Sequence, residues 1–282
     1  MKYLKDFRGK QLGYEQLVDY LRSQFFFDNW YSKEDGGSSF SDFSGAVITG
    51  AEIDEETMSF SRLEDYIVRD LDFSGALVCD MGVNLTFSNC SLNGTFIDNA
   101  WGESFRIVSA SEQARGCIIS RVDCSLFTIE TRGDSRSDRI EAITLQGCRS
   151  SEARIESLED SAIHKCKMSL ELIGSGYGDC SIEDCTFRNS ELRKSDFWRT
   201  RFTTTTIRDT KIEDCYFDRC VFTSVNFEGC DFKNVRFERC IFLGGSFFRG
   251  SAQNVEFKDC TFGAGQKYPK PVTDSVWEGL LV

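Results

Sequence analysis

The side chains best suited to chemistry are few, and their spacing does not assemble them. The chain has a single histidine, His164, which leaves no basis for a nucleophile–histidine–acid relay or a multi-histidine metal site. It has thirteen cysteines, of which Cys220, Cys240 and Cys260 recur at twenty-residue intervals. Stacked in a column, these three would invite a redox or zinc reading. Zinc, however, takes four ligands converging on a tetrahedron, which a parallel column does not provide, and the sequence has no C-x-x-C pair. The run Gly174-Ser175-Gly176-Tyr177-Gly178 shares only its glycine content with a phosphate loop, lacking the lysine and the strand-to-helix setting. No catalytic residue, metal ligand or cofactor contact is assigned, so the chain reads as a non-enzyme without a cofactor.

The elements around these residues are bounded first by composition. The longest apolar runs, such as Phe25-Phe26-Phe27, fall far short of the roughly 18 to 20 residues that cross a bilayer. The first ten residues lack the apolar core of a signal peptide. An odd cysteine number in 282 residues without an export signal favours reduced thiols over a disulfide framework. The expectation is a cytoplasmic protein away from membranes. A net charge of -12 disfavours direct contact with nucleic-acid phosphates. Most of that charge is local, because residues 28–99 carry 14 acids against 3 bases.

A five-residue period organises the C-terminal half. Counting in fives from Ile182 through Phe187, Leu192, Phe197, Phe202, Ile207 and onward to Phe257 and Phe262 gives seventeen apolar centres, twelve of them Phe. Two residues before each centre the side chain is small, as at Cys180, Ser195, Thr200, Cys220, Val225 and Gly245. Neither a helix, with period 3.6, nor a strand, with period 2, explains this. A coil of short segments does, if each unit forms one side of a square with its centre and its small residue pointing inward. Twenty residues then close one rung, and rungs stack at about 4.8 Å.

The centres and small partners resemble the pentapeptide-repeat family. The resemblance implies an all-β fold, a right-handed quadrilateral parallel β-helix. Residues 179–262 are the regular block. Residues 40–99 repeat the grammar less regularly, with Phe43, Ile48, Ile53, Met58, Leu63, Val68, Phe73, Val78 and Val83 in one frame, then Phe87, Leu92 and Ile97 after a slip of one. Residues 100–178 regain the frame in part, at Ala153, Leu158, Ile163, Met168 and Ile173, with Glu130 to Arg139 and Gly174 to Gly178 as projecting loops or the whole span as distorted rungs. Residues 1–39 are expected to supply an N-terminal helical cap and linker, with Leu17, Tyr20, Leu21 and Phe25 on one face. Residues 263–282 are expected to form a short C-terminal helix carrying Val276, Trp277, Leu280, Leu281 and Val282, which caps the last rung or dimerises.

Four surface features are candidate sites for a protein partner. The acidic residues Asp54, Glu55, Glu56, Glu64, Asp65, Asp70 and Asp72 would line a rod with only Arg62 and Arg69 to offset them between 40 and 99. Arg132, Asp134, Arg136 and Asp138 lie in the first expected loop. A basic strip of Trp198, Arg199, Arg219 and Arg239 could also take phosphate or nucleic acid, but its interleaved acids make a solvated ion-pair ladder the rival reading. The outward Val221, Ile241 and Leu243, with Trp277, Leu280 and Leu281 nearby, suggest tail packing or a homodimer. Some members of the family, the Qnr type associated with quinolone resistance, resemble DNA and bind DNA gyrase or topoisomerase IV. For this chain the resemblance implies a DNA-mimicking topoisomerase partner, with a structural module for immunity, defence or a host target as the alternative.

Overall fold

In a computed structural model the described residues are 9–13, 16, 47–49, 66–69, 73–82, 85–88, 90–109, 113–131, 139–248, 250–263 and 276–278. The five-residue units of the regular block become three-residue strands joined by two-residue corners up to Asp218, and eight-residue strands spanning two sides from Val221 to Lys258. Asp196–Trp198, Arg201–Thr203, Thr206–Arg208 and Lys211–Glu213 are the four sides of one coil. Tyr216–Asp218 then returns to pair in parallel with Asp196–Trp198, Phe217 opposite Phe197. Each corner is made by a residue with φ near +50°, among them Lys194, Arg199, Thr204, Asp209 and Asp214. That left-handed conformation turns the chain, and the backbone groups of the corner bond to the next coil, as in Arg199 N–H to Asp218 O at 2.9 Å.

The inward centres form columns of rings. One runs Tyr177, Phe197, Phe217, Phe237, Phe257 with centroid spacings of 5.0, 4.7, 4.8 and 4.8 Å. A second runs Phe202, Phe222, Phe242, Phe262 at 4.9, 4.7 and 4.9 Å. These spacings follow from the distance between parallel strands, about 4.8 Å. The columns meet edge to face, Phe222 against Phe237 at 5.9 Å and 75°, an arrangement the ring quadrupoles favour.

One ladder crosses both halves of the chain: Leu12, Ile48, Val78, Ile97, Ile119, Leu145, Ile163, Ile182, Phe202, Phe222, Phe242 and Phe262 occupy successive coils. The step of twenty holds only in the regular block. Toward the N-terminus it becomes 30 between Ile48 and Val78, 19 between Val78 and Ile97, and 26 between Ile119 and Leu145. The same ladder continues through these steps, so rungs persist while the period does not.

Three expectations change. Ile173 is 45% exposed while Leu172 is buried, so the frame slips by one beyond Met168 and Leu172 is the residue aligned with Leu192. Gly174 to Gly178 is not a projecting loop: Gly176–Gly178 is a strand between Leu158–Glu159 and Asp196–Trp198. The C-terminal helix is replaced at Val276–Glu278 by a strand paired with Glu256–Lys258, Trp277 opposite Phe257. The step from 257 to 277 is the coil's own twenty, and the strand takes up backbone groups that the final edge would leave open. Apart from Gln16, the expected N-terminal helix lies outside the described residues.

Candidate interaction surface

Because the centre and small positions are spent on the interior, only the two residues flanking each centre, and the corners, are free for recognition. The cysteines belong to the interior. Cys220, Cys240 and Cys260 do stack on successive coils, and each thiol donates to the carbonyl of a core phenylalanine one coil back: Phe197 at 3.4 Å, Phe217 at 3.3 Å and Phe237 at 3.3 Å. Burial pushes the thiols of Cys117, Cys180 and Cys215 up to about 12, which keeps them protonated and unreactive. Among the described residues no group of three or more His, Cys, Asp or Glu is placed to hold a metal ion. His164 sits at the surface with Nδ1 3.3 Å from a carboxylate oxygen of Glu183.

Arg199, Arg219 and Arg239 lie at corners twenty residues apart, and two of the three are held by acids. Arg199 grips Asp179 with both Nε, at 2.7 Å, and a terminal nitrogen. Arg239 reaches Asp218 at 2.8 Å, and Arg236 reaches Glu238 at 2.7 Å. Glu238 also accepts from the Tyr216 hydroxyl at 2.9 Å, a bond that, with the nearby arginines and Lys258, holds its carboxyl below the usual carboxylate range. Arg219 is the least engaged of the strip, 3.9 Å from Asp218 with 56% of its side chain exposed.

Trp198 does not stand free beside these arginines. The guanidinium of Arg139 lies over its ring at 4.1 Å while bonding Glu159 at 3.1 Å. The strand Gly176–Gly178 passes directly beneath the indole: a Cβ at Gly178 would sit 2.2 Å from the indole Nε1. Glycine content that reads as a flexible loop is therefore a flat bed for an aromatic ring, a role visible only once residues 178 and 198 are known to lie on adjacent coils.

The face carrying Val221, Ile241 and Leu243 differs from the others. Ile241 is 38% and Leu243 45% exposed. The flanking position to which Val221 and Ile241 belong runs along the ladder as Leu77, Phe96, Ile118, Thr144, Ala162, Ser181, Arg201, Val221, Ile241, Thr261, with one charge in the whole column. The extension below Val221, including the exposed Ile118, was not legible in the sequence, because the steps there depart from twenty.

Asp54, Glu55, Glu56, Glu64, Asp65, Asp70, Asp72, the loop residues Arg132, Asp134, Arg136 and Asp138, and Leu280 and Leu281 lie outside the described residues. Trp277 is placed in its strand. At the base of that loop, Thr131 donates its backbone N–H and its hydroxyl to Glu156 at 2.8 and 3.0 Å. No helix of the described residues is long and apolar enough to cross a membrane.

Residues 207–252 match the family model of pentapeptide repeats, in nine copies. Among solved structures the chain is similar to QnrB1, a plasmid-mediated fluoroquinolone resistance protein, with TM-score 0.36 and 14% identity over 73% of this chain and 89% of that one. It is also similar to HetL, a pentapeptide repeat protein involved in heterocyst differentiation regulation in the cyanobacterium Nostoc, with TM-score 0.34 and 8% identity over 70% of this chain and 94% of that one. An endo-xylogalacturonan hydrolase from Aspergillus tubingensis gives TM-score 0.37 and 9% identity over 93% of this chain and 88% of that one. No curated protein matches the sequence.

Proposed function

We propose, starting from a chain that belongs to the pentapeptide-repeat family, that it acts without catalysis, as a rod whose outer faces bind another protein. The observation that carries this reading is the contrast between faces. Ion pairs cover the surface around Arg199, Arg236 and Arg239, whereas Val221, Ile241 and Leu243 leave apolar side chains in water. Where apolar side chains on adjacent coils stand together in water beside an ion-paired face, free energy of association is concentrated at that strip. The reading is tested by cross-linking the parent and a Leu243→Asp variant in cells of its source. A partner retained by the parent and lost by the variant supports it, and identical products refute it for this strip.

A second reading is favoured by the concentration of charge in residues 28–99, with 14 acids and 3 bases. We infer that Asp54, Glu55, Glu56, Glu64, Asp65, Asp70 and Asp72 present a DNA-like array to the basic groove of a DNA gyrase or topoisomerase IV, with the loop residues Arg132, Asp134, Arg136 and Asp138 as a secondary contact. Supercoiling by purified gyrase, titrated with the parent and with a variant carrying Lys at 54, 55, 64 and 65, distinguishes the two. Inhibition or quinolone protection by the parent alone supports mimicry. Equal effects of parent and variant, or none at micromolar protein, remove it.

A further inference from the structure

The outward positions of three consecutive coils on one face are Val221 and Thr223, Ile241 and Leu243, Thr261 and Gly263. None is charged. On the preceding face the corresponding positions are Tyr216 and Asp218, Arg236 and Glu238, Glu256 and Lys258, of which only the tyrosine is neutral. The uncharged patch is rimmed asymmetrically. The corner leading onto it carries Arg219 and Arg239 on the first two coils and Asp259 on the third, while the corner leading off the first two carries Ser224 and Gly244. At its lower end, directly beneath Val221, stands Arg201, which is exposed and makes no ion pair among the described residues.

We propose that this patch is a docking site for a short amphipathic helix with an apolar stripe and carboxylates along one flank. Three features point to that occupant. Size is the first: three coils at about 4.8 Å and a strand three residues wide give a patch on the order of 200 Å², well below the roughly 800 Å² per partner of a stable dimer interface. Pitch is the second. Successive turns of a helix laid along the rod, about 5.4 Å apart, meet successive coils, so apolar residues at i, i+4 and i+7 meet Val221 on the first coil, Ile241 with Leu243 on the second and Thr261 on the third. Charge is the third. Carboxylates beside the first two coils face Arg219 and Arg239, one at the lower end faces Arg201, none is expected beside Asp259 of the third coil, and the opposite rim of Ser224 and Gly244 asks for no charge. Arg201 and Arg219 supply most of this attraction, because Asp218 and Glu238 already engage Arg239 at 2.8 and 3.5 Å.

The proposal rests on the scaffold reading above, and the two fail separately. The probe is a fluorescein-labelled helical peptide of about fifteen residues with Leu at i, i+4 and i+7 and Glu along one flank, read by anisotropy against the full chain. A twin with Lys in place of Glu is the control. The Glu peptide is expected to bind, with Leu243→Asp weakening it at least about tenfold and Arg201→Glu and Arg219→Glu weakening it about three- to fivefold each. Circular dichroism checks that the variants are folded, and Lys211→Glu, on another face, is expected to leave binding unchanged. Equal binding of the Lys twin, or indifference to Leu243→Asp, overturns the proposal. So does a parent that light scattering shows to be a dimer and Leu243→Asp turns into a monomer, since a second copy would then own the face. A physiological partner that ignores these variants removes this face and leaves the scaffold reading, whereas turnover of a substrate by the chain removes the scaffold reading whatever the peptide does.

Discussion

Phe237→Ala tests whether the stacked columns hold the rod together. Phe237 is fully buried, with Phe217 and Phe257 each 4.8 Å away in its own column and Phe222 and Phe242 meeting it edge-on at 5.9 and 5.6 Å. Truncation forfeits a transfer term of about 2 kcal/mol. It also leaves a cavity of roughly 80 Å³ that the coil cannot collapse into, worth about another 2 kcal/mol at 24 cal/mol per Å³. The expected loss is therefore about 4 kcal/mol. In urea, with an m-value near 3 kcal/mol/M, the midpoint should fall by about 1 M. Phe262→Ala is the internal control. Among the described residues that ring stands at the end of its column, stacked on Phe242 at 4.9 Å, and should cost about half as much. A midpoint shift below about 0.3 M for Phe237→Ala, or equal losses at the two positions, would show that ring stacking between coils is not the dominant cohesion and would refute the reasoning.

Gly178→Ala should expel the indole of Trp198 from its bed, since the new Cβ would fall 2.2 Å from Nε1; a red shift of tryptophan emission and a loss of about 2 kcal/mol in urea are expected, and an unchanged emission maximum counts against the packing. Thr204 is a β-branched residue held at φ 49°, so Thr204→Gly should raise stability by about 0.5–1 kcal/mol, whereas a loss would mean that its side chain contributes more than its strain costs. The buried thiols of Cys117, Cys180 and Cys215 are raised from an ordinary 9.0 to about 12. Their contribution is complete below pH 9 and is lost as pH rises from 9 toward 12, so urea midpoints should decline across that window and a thiol reagent should label these residues only on unfolding. The Glu238 carboxyl is depressed from 4.5, foremost by the Tyr216 hydroxyl. Its contribution is present above pH 4.5 and fades as pH falls below that value, and Tyr216→Phe should flatten the acid limb of the stability profile.

How far the fold was legible depends on how faithfully corners were kept to two residues. Between Ile182 and Phe262 each side of the square uses five residues, so the column Phe202, Phe222, Phe242, Phe262 can be read by counting. Between Ile119 and Leu145 the coil takes 26 residues, and counting fails although the same ladder continues. Leu172 and Ile173 show the consequence at single-residue scale: a frame that slips by one exchanges a buried residue for an exposed one. The tail shows the reverse. A run that looks helical by composition becomes a strand at Val276–Glu278 because a waiting edge lies twenty residues behind it.

The surface was legible to the same degree and for the same reason. Arg199, Arg219 and Arg239 lie on corners twenty residues apart, but whether a corner arginine is free depends on acids one coil away. Arg199 meets Asp179 across a step of twenty, and Arg239 meets Asp218 across a step of twenty-one. Their charges are largely cancelled where they stand, and an exposed ion pair of this kind contributes about 0–1 kcal/mol. Beside the apolar face the arginines that remain available are Arg201 and Arg219, whose neighbouring coils supply apolar or distant partners. Recognition on such a rod is therefore decided by mismatches between adjacent coils rather than by the repeat itself. The repeat makes every face alike inside; only where one coil leaves a charge or an apolar side chain unanswered by the next does the outside acquire a direction for a partner to read.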